Sequence, residues 1–480
     1  PTETPSQSPT ETPSQSPTET PSQSSTETPS QSPTETPSQS PTETPTQSPT
    51  ETPSQSPSQS PSQSPTPLPE RTTVPDTSDA YINKQFTEIP DGPSVVDGTN
   101  GKQIQAGTNN ISQISGCTFT DIDCGRQYYI RAAGEIAFFD NVFKNSQYPT
   151  TDKPGIMWIN YGSNETPGKL TITNCTFINI ISRGVDGHIF NVNSGNKIQL
   201  ILERCEFTDC GKSDNKALIN MLHNQCSIEM YDCNITFNNI DNSCKVIDLS
   251  SHKGTFERCR FTQCGENAIH LGFNNDANTV SYGTLIFKNN FIDRCQGKFI
   301  YAPKLESKPT IEGNHFESIT LANNYMISIT YNQNEIEFMN NTFSNIKTES
   351  DCGGIGISVI NSNEAFTMKY TNCIFNNNQA LSSNGGSICY GYSNTNNANI
   401  ELNGCEFRSN TVSSGNGGCI AVRTSKSITI TNCKFESNIA NHQDGSSNST
   451  GFGGAIYIST SFDSDGTKCM SSLTISGCTF

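Results

Sequence analysis

Four stretches decide the fold: LTITNCTF at 170–177, LILERCEF at 200–207, ITITNCKF at 428–435 and LTISGCTF at 473–480. Each ends on an aromatic anchor. The same anchor recurs at Phe119, Phe143, Phe177, Phe207, Phe261, Phe291, Phe316, Phe343, Phe375, Phe407, Phe435 and Phe480, and Ile235 takes its place in YDCNI. Counted back from the anchor, position −5 is apolar in all thirteen copies (Ile286 and Ile311 among them), position −2 is Cys or Asn, and position −3 is Gly, Asn or Asp in ten. A strand alternates its side chains with period two, so −5 and −2 cannot share a face within one uninterrupted strand. A backbone reset at −4 and −3 is required, and Gly, Asn and Asp are the residues that accept a left-handed conformation. Each copy therefore reads as strand, tight corner, strand.

Stacked copies of that unit predict an all-β chain: a right-handed parallel β-helix of about thirteen rungs over residues 111–480, truncated at its C-terminus. A propeller needs hairpins and longer repeats, and a leucine-rich repeat needs its own consensus.

The ladder at −2 runs in blocks. Cys175, Cys205, Cys233 and Cys259 come first, then Asn289, Asn314 and Asn341, then Cys373, Cys405, Cys433 and Cys478. A buried Asn needs an amide partner, which an identical neighbour supplies, whereas a free Cys behaves as a small apolar residue. The nineteen cysteines are thus expected to be mostly free thiols inside the coil. No C-x-x-C pair suggests zinc. No metal and no cofactor is expected.

Working outward, residues 1–56 are seven copies of the octapeptide PTETPSQS, changed only at Ser25 and Thr46, with PSQS units after them. Nothing there can form a core, so 1–70 is expected to be a disordered, polyproline-rich spacer open to O-glycosylation, and 71–110 a linker and cap. The net charge of −17 with 32% hydrophobic residues argues against nucleic acid, since no basic cluster is available to track phosphates. It suits an elongated repeat with a thin core. Sequons stand at Asn110, Asn164, Asn174, Asn234, Asn340 and Asn448.

The last third carries a second pattern. FNNN from Phe375, FRSN from Phe407 and FESN from Phe435 alternate with GGSI from Gly385, GGCI from Gly417 and GGAI from Gly453. This region resembles the polymorphic outer membrane protein repeats. The resemblance implies a β-helix passenger displayed at the cell surface, often in adhesion, with an extracellular protein or glycan as partner.

Chemistry-bearing clusters are sparse. RGVDGH, with Arg183, Asp186 and His188 near Asp121 and Asp123, reads as a solvated loop; His270 in NAIHLGF reads as a core or surface histidine; the acidic loop SFDSDG at 461–466 reads as ion-free. The expectation is a cell-surface or secreted chain that does not catalyse and has no catalytic residues. The alternatives are a carbohydrate-active β-helix enzyme, which needs carboxylates on neighbouring rungs, and a structural stalk.

Overall fold

In the computed structural model the chain divides into two units, residues 1–70 and 71–480. The structure describes residues 80–89, 94–98, 101–122, 128–148, 155–162, 168–182, 188–192, 197–211, 217–221, 226–238, 245–249, 253–271, 283–322, 325–331, 334–349, 357–360, 366–382, 384–390, 399–422, 425, 427–441, 451–459 and 472–480. The expected disordered spacer at 1–70 lies outside the described residues.

The second unit is a parallel β-solenoid. One sheet of fourteen strands, one of thirteen and one of eleven run along it, with three smaller sheets beside them. We call these the first, second and third sheets. Among the named strands every pair is parallel except Val95–Gly98 against Gly101–Ala106, a hairpin near the N-terminal end. Parallel pairing begins at Ala80, where Ala80 faces Gln113 and Phe86 faces Phe119, so the segment 71–110 already holds strands of a rung.

The corner at −3 has a positive φ in every copy, from 51° at Asn174 to 69° at Gly313. Arg204 and Arg258 adopt it as well. A second corner follows two residues after the anchor, at Asp121, Asn145, Asn179, Asp209 and their equivalents. It leads the chain out of the second sheet towards the third.

The anchors stack down the interior. Phe316–Phe343, Phe343–Phe375, Phe375–Phe407 and Phe407–Phe435 lie 4.6–5.2 Å apart, within 9° of parallel. One rung departs from the expected register. Phe261 pairs with Ile292 and Ile292 with Phe316, so Ile292 is the anchor and Phe291 faces out. Asn289 is then the corner residue, with φ 53°, and Asn290 takes the ladder position. Phe287, not Ile286, faces the core. The run NNFI offers two asparagines and two apolar residues in succession, and this rung uses the second of each.

The Cys and Asn ladder has one hydrogen-bonding task. At most steps the side chain donates to the carbonyl of position −5 in the preceding rung; Cys175 and Cys433 instead reach the carbonyl two residues before them, Thr173 O and Thr431 O. Cys233 Sγ reaches Leu202 O at 3.5 Å and Cys373 Sγ reaches Phe338 O at 3.2 Å. Asn314 Nδ2 reaches Phe287 O at 2.8 Å and Asn341 Nδ2 reaches Ile311 O at 2.9 Å. Asn also accepts the backbone N–H of the previous ladder residue, as Asn341 Oδ1 does from Asn314 N at 3.0 Å, and Cys478 Sγ accepts from Cys433 N in the same way at 3.4 Å. Burial holds the thiols of Cys175, Cys205 and Cys233 well above the usual range, so they remain protonated donors at neutral pH. The described ladder cysteines are free; Cys389, off the ladder, is in a disulfide.

The motifs of the last third are built into this same interior. Asn378, Asn410 and Asn438 form a further ladder, Asn410 Nδ2 donating to Phe375 O at 2.9 Å and Asn438 Nδ2 to Phe407 O at 3.0 Å. Gly418 allows close stacking: a Cβ there would meet Gly454 O at 1.8 Å, and one at Gly386 would meet Gly418 O at 2.1 Å.

Candidate functional site: the outer face of the third sheet

Eight of the third sheet's eleven strands are Tyr128–Ala132, Gly155–Ile159, Phe190–Val192, Ala217–Met221, Lys245–Leu249, Ile269–Leu271, Ile300–Leu305 and Ile327–Tyr331. Ile130, Met157, Phe190, Ile219, Ile247, Ile269, Ile300 and Ile327 point into the core. The residue after each points the other way. The parallel register therefore lines up Arg131, Trp158, Asn191, Asn220, Asp248, His270, Tyr301 and Ser328 in one outward column. Neighbouring rungs stand about 4.8 Å apart, so Trp158 and Tyr301, five steps apart, are separated by roughly 24 Å.

This column is unusual for an outer face because much of it is shielded. Asn220 is 3% exposed and His270 8%. Tyr128, from the adjoining outward position, is buried without joining the core cluster. At one end, the Arg131 guanidinium lies 5.2 Å from the Trp158 ring, Tyr128 packs beside that ring at 6.5 Å, and Asn191 Nδ2 donates to Tyr128 Oη at 2.6 Å. In the centre, Asp248 Oδ1 is 3.1 Å from His270 Nδ1, and Lys245 Nζ is 3.4 Å from Asp248 Oδ2. Burial by itself would raise the Asp248 carboxyl; the hydrogen bond and charge of His270, with Lys245, outweigh it, and the group lies below its ordinary value. His270 stacks on Tyr301 at 5.1 Å, and Lys298 Nζ sits 4.7 Å from the Tyr301 ring.

Asn220 Oδ1 is buried and has no hydrogen-bond partner. An unsatisfied buried acceptor costs about 1–3 kcal/mol. Such a group is explained by a water or a ligand donor meeting it.

The arrangement can bind: Trp158 and Tyr301 offer flat apolar rings with polar edges, and the amides offer paired donors and acceptors. Among the described residues of this column Asp248 is the sole carboxylate, and no group of three His, Cys, Asp or Glu is placed to hold a metal.

The sequence-predicted residues fall elsewhere or change role. The ladder residues are interior. Arg183, Asp186, Asp123 and the loop at 461–466 lie outside the described residues. Asp121 is an exposed corner residue with φ 54°. His188 is fully buried two residues before its third-sheet strand, its backbone N–H donating to Ala217 O at 3.0 Å. His270, read from the sequence as a core or surface histidine, is 8% exposed on the outward side of its strand. Sequence reasoning missed the column because its members follow their anchors at spacings from 9 to 15 residues, so no fixed offset marks them.

No known protein family matches the chain, and no curated protein is similar to it. The resemblance to polymorphic outer membrane protein repeats is thus unconfirmed. Among solved structures the chain is similar to the catalytic domain of a GH87 α-1,3-glucanase in complex with tetrasaccharides, at 11% identity and a TM-score of 0.30. The likeness covers 74% of this chain and 65% of that one, just under two thirds of its length. A catalytic domain of β-helix architecture runs against the expectation of a chain that does not catalyse, and that expectation is withdrawn. At this level of similarity the likeness assigns no activity.

Proposed function

We propose that this β-solenoid is an extracellular glycan-binding protein and that a linear glycan lies along the outer column of the third sheet. The observation that carries the proposal is the column itself: Trp158, Asn191, Asn220, Asp248, His270 and Tyr301 on consecutive rungs, partly shielded, with Asn220 Oδ1 unsatisfied. Aromatic platforms interleaved with amides suit a hydroxyl-rich polymer, whose ring faces are apolar and whose edges donate and accept hydrogen bonds. A repeating ligand on a repeating surface gains several weak contacts at once. Adhesion to glycan-coated surfaces is the role this supports, with the Pro/Ser/Thr tract as a spacer.

The test is calorimetric titration of the full chain with soluble linear glycans of graded length. Affinity should rise with length and fall on Trp158→Ala and Tyr301→Ala. Equal affinity for these variants and the parent would remove the column from the account.

A second reading, a carbohydrate-active enzyme, is favoured by one observation, the Asp248–His270 contact at the middle of the same column.

A further inference from the structure

We infer that the solenoid carries an N-linked oligosaccharide on Asn340, and that the corner around Asn174 keeps the same acceptor pattern bare. This goes beyond the glycan-binding reading and does not depend on the third-sheet column. An Asn-x-Thr or Asn-x-Ser triplet marks an acceptor in a secreted chain, and the attached glycan is bulky and must stand at the surface. The triplets at Asn110, Asn174, Asn234 and Asn340 lie on described residues. Asn110 is half-buried, its Nδ2 donating to Thr108 O at 3.1 Å. Asn234 is half-buried within the second-sheet strand Asn234–Thr236, in register with Glu206 and Arg260 on either side, and Thr236 Oγ1 donates to its Oδ1 at 3.3 Å. Asn174 and Asn340 occupy the same corner on different rungs. Both are exposed, with φ of 51° and 55°.

Their neighbours separate them. Corner residues of successive rungs stand about 4.8 Å apart, so each side chain meets those before and after it. Asn174 is held on both sides: its Nδ2 donates to Asp140 Oδ1 at 3.0 Å, and its Oδ1 accepts from Arg204 Nε at 2.6 Å. A sugar on that Nδ2 would have to displace Asp140. Asn340 is flanked by neither a carboxylate nor a guanidinium. The corner before it is Gly313, with φ 69° and no side chain. The corner after it is Asn372, whose Oδ1 lies towards Gly404, 2.4 Å from where a Cβ on that glycine would stand. The Asn340 corner joins Glu335–Met339 of the first sheet to Thr342–Ser344 of the second. A glycan on that edge leaves the third-sheet column uncovered.

The modification joins Asn340 Nδ2 to C1 of the first sugar of a lipid-linked oligosaccharide. The C1–O bond to the lipid pyrophosphate breaks, and its electron pair leaves on the phosphate oxygen. The displaced Nδ2 proton passes to a base of the host transferase. Whatever the stage of transfer, the finished corner must house the first sugar, and the corner at Asn340 is the one with room for it.

The experiment secretes the full chain from a glycosylating eukaryotic host. N-linked glycans are then removed enzymatically in heavy-oxygen water, which converts each occupied Asn to labelled Asp, and the peptides are mapped by mass spectrometry. Label should appear at Asn340 in most chains and be absent from Asn174. Asn340→Gln and Thr342→Val should each lose the mass of one glycan, with unchanged circular dichroism. Asp140→Gly with Arg204→Gly, which copies the open neighbour at Gly313, should let Asn174 take up label. An unlabelled Asn340 overturns the proposal. Label on Asn174 equal to that on Asn340 in the parent chain overturns the part played by the neighbouring corners.

Discussion

The first and third sheets are wound from the same rungs and turn similar aliphatic and aromatic residues to the interior, yet their outer faces differ. The first sheet carries alternating charges. Lys253 meets Glu229 at 3.1 Å, Lys288 meets Glu312 at 3.0 Å, and Glu335 receives both Lys308 and Lys369 at 2.5 Å. Hydrogen bonds from Lys308 and Lys369 hold the Glu335 carboxyl below its ordinary value. Most of these side chains are a quarter to a half exposed, which is how a face that meets only water is finished, and such pairs add little stability. The third sheet replaces charge alternation with Trp, Tyr, His and amides, and shields them. The interior dictates the solenoid, so an outer face is free to report what it meets. A shielded column of aromatics and amides is the feature on which the proposed ligand face rests.

That contrast can be broken in four ways, from the largest expected effect to the smallest. Removing both platforms, Trp158→Ala with Tyr301→Ala, should weaken glycan binding by about 10- to 100-fold, or roughly 1.4–2.8 kcal/mol. The melting temperature, checked by calorimetry, should change little, because neither ring belongs to the core cluster. Asn220→Leu should cost about tenfold in affinity while stability holds or rises, since it removes an acceptor that is buried without a partner. Denaturant titration beside binding separates the two effects.

Asp248→Asn probes pH. Despite burial, the hydrogen bond and charge of His270, with Lys245, hold the folded Asp248 carboxyl below its ordinary value, so its ionised form stabilises the fold. That stabilisation is complete above the unfolded-state value near 4 and is lost as pH falls through the folded value. The parent should exceed Asp248→Asn in stability at neutral pH, and the two curves should converge as pH falls through the folded Asp248 value. Lys369→Ala, on the first sheet, should cost less than about 1 kcal/mol, an effect salt removes, and should leave glycan binding unchanged.

The sequence made the solenoid legible because two of its demands recur at fixed distances from one residue. A corner in the left-handed region and a buried donor for the previous rung's carbonyl both sit within three residues of the anchor. The −3 corner was readable even though Arg204 and Arg258 break the Gly/Asn/Asp rule, since the neighbouring Cys and Phe keep the frame. At 289–292 the frame was ambiguous, and the slip to Asn290 and Ile292 follows from which pair completes the ladder. The second corner went unseen because Asp, Asn, Gln, Arg and Ser all fill it. The functional column was not legible at all. Its residues follow segments of varying length, and only the parallel register brings Asp248 to His270 and His270 to Tyr301.

The central claim, that the outer column of the third sheet is the ligand face, is tested most directly by hydroxyl-radical footprinting of the full chain with and without a saturating linear glycan. Trp158, His270 and Tyr301 should become protected, while Tyr231 and Met339 on the outer side of the first sheet keep their reactivity. Protection of the first-sheet residues, with Trp158 and Tyr301 unchanged, would contradict the account.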